Sequence, residues 1–159
     1  MSKKDTQDLR KFLMPFPADV RKTAMALREF ACTLYPKANE LIYDNYNAVA
    51  IGWSLTDRLG DTFCSVAVLR RGLNVHFGFY WGAKISDPKK LLLGGGNQYR
   101  YIIVKEMAAF PKSYMQKLVR EAYTYSLSKL GDRKPNLVGA TITKSISKKK
   151  APLHGRRAN

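Results

Sequence analysis

Cys64 and His76 are the residues best suited to act as nucleophile and base, because they stand on the two arms of one predicted hairpin, CSVAVLRRGLNVHFGF. A thiolate needs its base within hydrogen-bond reach, about 3 Å. Side chains alternate between the faces of a strand, and a two-residue turn sets which positions pair. A turn at Arg71-Gly72 aligns Cys64, Val66 and Val68 with Phe79, Phe77 and Val75 on one apolar face. His76 then falls on the other face, with Ser65, Ala67, Leu69, Asn74 and Gly78. Moving the turn to Arg70-Arg71 leaves thiol and imidazole on opposite faces, so the pair is not expected to react.

Other reaction centres find no better support. His154 lies near the end of the chain, and no G-x-S-x-G elbow precedes a helix. Cys32 and Cys64 lack C-x-x-C spacing, and two histidines without a dense acidic cluster make a poor transition-metal site. Gly94-Gly95-Gly96 could approach an anion, with Arg100 nearby, but the strand-like YRYIIV follows where a phosphate-binding loop needs a helix. The expectation is a chain without a catalytic constellation, bound metal or cofactor.

Binding chemistry is better represented. The polar cluster Asp44-Asn45-Tyr46-Asn47 interrupts two β-rich runs, and small residues at Ser65, Ala67 and Gly78, joined by Ala48, Ala50 and Gly52 if their strand shares that side, either let a helix approach the face opposite the apolar one closely or leave room there for a ligand. Polar and aromatic groups beside such space suggest a small-molecule pocket lined by Tyr43, Asn45, Tyr46, Asn47, His76, Tyr80, Trp81 and Arg100. Interleaved aromatics and cations could alternatively stack on bases.

The elements that must position these groups follow from periodicity. A short helix is predicted over 6–13. A longer one begins after Pro17, carries Val20, Ala24, Leu27, Ala31 and Leu34 on one stripe, and stops at Pro36. Strands are expected at 41–44, 48–53, 62–69, 73–80 and 99–104, and a last helix at 113–129 with Gly131 as its C-terminal cap. Consecutive strands between helices predict an α+β domain over 1–132, with a mainly antiparallel sheet of about five strands.

The chain has 159 residues and a formal charge of +16. Residues 129–159 hold nine Lys or Arg against one acid, a net +8, with Pro135, Gly139, Pro152 and Gly155 among few apolar side chains. Such a composition predicts a mobile basic tail over 133–159. Its Lys148, Lys149, Lys150, Arg156 and Arg157 are candidate nucleic-acid contacts through counterion release. Neither a secretory signal nor a membrane span is visible, and two unpaired cysteines suit a reducing compartment, so a cytoplasmic location is expected.

Three separated stretches, PADVRKTAMALREFACTLYPKANELIYDNYNAVAIGWS, FCSVAVLRRGLNVHFGFYWGAKISDPKKLLLGGGNQYRYI and MQKLVREAYTYS, resemble the YdhG-like family, also called domain of unknown function 1801. The likeness covers about residues 8–125. It implies a compact α+β fold with helices flanking an antiparallel sheet, and no general activity. Some relatives look like frataxin-type iron chaperones, a role that depends on exposed oxygen ligands. This chain offers only Glu40, Asp44, Asp57 and Asp61 in its first sheet region, so iron delivery ranks below an unknown small molecule and below nucleic acid.

Overall fold

The computed structural model describes residues 7–155. Three helices, α1 (Gln7–Leu13), α2 (Ala18–Leu34) and α3 (Lys112–Leu130), accompany six strands: β1 (Asn39–Asp44), β2 (Ala48–Ser54), β3 (Thr62–Leu69), β4 (Val75–Phe79), β5 (Arg100–Ile103) and β6 (Thr141–Ile146). Helix α2 follows Pro17, whose φ of −56° suits entry into a helix, and its stripe of Val20, Ala24, Leu27 and Ala31 is buried. Helix α3 buries Met115, Leu118, Val119 and Ala122 and ends where Gly131 takes a positive φ of 61°.

The sheet order is β5-β4-β3-β2-β1-β6. The hairpin register matches the sequence reading: Val66 faces Phe77, Val68 faces Val75 and Ser65 faces Gly78. Its turn does not. Gly72 and Leu73 both have positive φ, Leu69 N–H bonds to Asn74 O, and Arg70 N–H leaves the hairpin to reach Asn47 O. The connection is thus four residues long, drawn toward the β1–β2 turn.

Alternation through the registers places Ile42, Ile51, Trp53, Cys64, Val66, Val68 and Phe77 on one face, in the same core as the apolar sides of α2 and α3. Phe30 of α2 meets Phe77 and Phe110 edge-on, with centroids 5.6 and 5.0 Å away.

Two expectations need correction. The sheet has six strands and is mixed, because β6 lies parallel to β1. The strand comes from the segment read as a mobile tail, so the boundary at 132 does not separate domain from tail within the described residues. Composition undervalued this segment because its order comes from polar bonds to distant residues. Asn39 donates to Asn136 O at 2.7 Å and accepts from Ala140 N–H, Glu40 N–H reaches Ala140 O, and Arg133 forms a bidentate pair with Asp61 at 2.9 Å. Arg156 and Arg157 lie outside the described residues.

The Arg133 hydrogen bond holds the Asp61 carboxyl below its ordinary range, outweighing the opposing effect of burial. A depressed folded-state value adds stability above the unfolded value near 3.9, which disappears as pH falls through the folded one. The stability gap between wild type and Arg133→Met should therefore shrink between about pH 6 and 3. A constant gap in urea titrations across that range would contradict this assignment.

Candidate functional site

The structure disperses the eight predicted pocket residues. Tyr43, His76 and Tyr80 belong to the sheet face opposite the core. There His76 stacks on Tyr101 at 4.1 Å, Tyr101 stacks on Tyr99 at 5.5 Å, and Tyr99 bonds to Ser65. The Tyr99 ring packs against Gly78 so closely that a Cβ there would collide with it. Burial pushes the Tyr99 phenol up to about 12 and lowers the His76 pKa, favouring the neutral ring. Tyr43 Oη is buried without a partner among the described residues, and burial, with Tyr80 nearby, raises its pKa. The side opposite the core is thus partly filled by its own aromatic rings.

Asn45, Tyr46 and Asn47 act as a structural hub. Asn47 O accepts from Arg70 N–H, Asn45 Oδ1 accepts from Ser145 Oγ–H at 2.8 Å, and Tyr46 O accepts from Ala151 N–H at 2.8 Å. Beside them, the buried Asp44 carboxylate receives Arg70 on one oxygen and Lys150 on the other, both at 2.5 Å. Trp81 sits elsewhere, donating to Gly60 O while Lys129 of α3 lies 4.3 Å from its ring centroid. Arg100 packs against Gly82, where a Cβ would lie 2.5 Å from Arg100 Cβ, and it donates to Tyr99 O.

Cys64 is buried in the core, where desolvation drives its thiol well above the ordinary value, while His76 is on the far face of the sheet. Three of the four acids weighed for iron are occupied by cations: Glu40 by Arg28, Asp44 by Arg70 and Lys150, and Asp61 by Arg133. Among the described residues, no three His, Cys, Asp or Glu side chains group to hold a metal ion. Lys148 and Lys149 are exposed, whereas Lys150 is tied to Asp44. No helix among the described residues is long and apolar enough to cross a membrane.

An open cleft of about 930 Å³ lies at another place, and none of the eight residues lines it. Its wall combines Thr23 of α2, Arg71 and Asn74 of the β3–β4 connection, Lys105 just past β5, and His154 with Gly155 from the C-terminal segment. Leu73, Val75 and Val104 supply buried apolar surface, with Val104 N–H bonded to Val75 O at 2.8 Å. Among the described residues, no carboxylate lines it. Arg71 and Lys105 form no ion pair among the described residues, unlike Arg28, Arg70 and Arg133. The arrangement can attract an anion and shelter an apolar body.

Sequence reasoning missed this cleft because its residues meet through long-range pairing. The β4–β5 register that carries Lys105 to the hairpin is set across a connection of twenty residues, and His154 arrives only because the C-terminal segment docks. The one local signal was the pair of cations at Arg70-Arg71, of which Arg70 turns out to serve structure. No family model matches the sequence, and neither a curated protein nor a solved structure matches it significantly.

Proposed function

We propose that this protein is a small-ligand-binding domain whose ligand is an anion held in the cleft by Arg71, Lys105 and His154. The observation that carries the reading is the convergence of three basic side chains, from three separate chain segments, on a cleft that no carboxylate among the described residues lines. Its volume lies within the roughly 300–1,000 Å³ common for small-molecule sites. The apolar floor favours an organic anion over a bare inorganic one, because Leu73, Val75 and Val104 gain from covering a hydrophobic body. Order along the chain, α2, then β1 to β5, then α3, agrees with the YdhG-like expectation, and membership of that family is part of this proposal.

Calorimetric titration with AMP tests the reading. Arg71 and Lys105 are exposed, so Arg71→Ala and Lys105→Ala should fold normally. Each should weaken AMP by about tenfold or more, since hydrogen bonds to charged groups contribute roughly 1.5–3 kcal/mol. Absence of saturable AMP binding below about 10 mM would reject the anion cleft. Affinity for single-stranded RNA unaffected by either substitution would favour the nucleic-acid alternative.

A further inference from the structure

We propose that residues 147–155 form a strap whose docking and anion binding are coupled, an inference that rests on the anion-cleft reading. The strap leaves β6 with Ser147 N–H bonded to Asp44 O at 2.8 Å. It is pinned by the Lys150–Asp44 pair, by Ala151 N–H to Tyr46 O, and by His154 N–H to Arg70 O at 3.0 Å. Ala151 is its one buried apolar contact, whereas Leu153 is 39% exposed. Few apolar contacts and a handful of hydrogen bonds mark an element from the low-stability end of a structure.

The strap ends in the cleft wall. His154 and Gly155 line the cleft, and the backbone carbonyl that receives His154 belongs to Arg70, the neighbour of cleft-lining Arg71. An undocked strap removes the His154 imidazole, one of the three basic side chains, and its hydrogen-bond donor from the cleft, so the anion binds the docked state better. Linkage makes the effect reciprocal: whatever factor docking adds to anion affinity, the anion adds to docking. Asp44, which does not line the cleft, thereby controls it through Lys150.

The full-length chain, with AMP as probe, decides the matter. Lys150→Met removes the anchor while leaving the cleft side chains in place, and should weaken AMP about fivefold, at the lower end of the usual range of allosteric coupling. Ala151→Gln, which cannot keep its seat, should do the same without changing charge. Lys148→Met, an equal charge loss at an exposed position, should leave affinity unchanged. Hydrogen exchange at the Ala151 and His154 amides should slow in wild type when AMP is added and should not respond in Arg71→Ala. Unchanged AMP affinity in both anchor variants, with strap exchange insensitive to AMP, would overturn the coupling and leave the cleft standing. Failure of wild type to bind AMP would overturn both.

Discussion

Arg28→Met is expected to destabilise the protein by about 3–5 kcal/mol, the range for breaking a buried ion pair from one side. Arg28 reaches Glu40 with two bonds, Nε to Oε2 at 2.5 Å and Nη2 to Oε1 at 2.8 Å, and both side chains are almost wholly inaccessible to water. Glu40 also accepts from Thr141 Oγ1 at 3.0 Å, so one carboxylate joins α2, β1 and β6. Without Arg28 that charge stays buried with, among the described side chains, the Thr141 hydroxyl and the Cys32 thiol as its remaining partners. Removing both charges abolishes the problem, because desolvation of the pair offsets much of its attraction. Arg28→Met combined with Glu40→Leu should return to within about 1 kcal/mol of wild type. Urea unfolding would show a large drop in midpoint for the single variant and recovery for the double. A single-variant loss under about 1 kcal/mol would mean that water or local rearrangement solvates Glu40.

Asp44→Leu should cost a similar amount, about 3–5 kcal/mol, because it strands Arg70. That side chain is 4% exposed and, among the described residues, would keep the Asn45 carbonyl at 3.4 Å and the Phe16 ring at 5.6 Å. The other partner of Asp44 gives a contrast. Lys150 retains about a third of its side-chain exposure, so water compensates its loss, and Lys150→Met should change stability by no more than about 1 kcal/mol. Two ion pairs of equal length to one carboxylate are thus expected to differ severalfold in consequence. Equal losses for the two variants would show that burial does not set the cost here.

Much of the fold was legible because it depends on short-range patterns. The β3–β4 register follows from alternation over 64–79, and it separated Cys64 from His76 before any distance was known. Proline and glycine marked helix ends at Pro17, Pro36 and Gly131 for steric reasons that act within a few residues. The hub at Asn45–Asn47 could be recognised as unusual, yet its partners could not. Arg70, Ser145 and Ala151 reach it from positions 23 to 105 residues away in sequence.

The amino-acid order by itself determined the three helices and the strands β1 to β5, which sheet face is apolar, and that Cys64 and His76 lie on opposite faces, since those properties depend on backbone periods of 3.6 and 2. Only the tertiary structure decided that the basic C-terminal segment adds β6 in parallel, that three acids are neutralised inside the fold, and that Arg71, Lys105 and His154 meet. Those outcomes rest on bonds between groups far apart along the chain, where many pairings satisfy the same local pattern and burial selects among them.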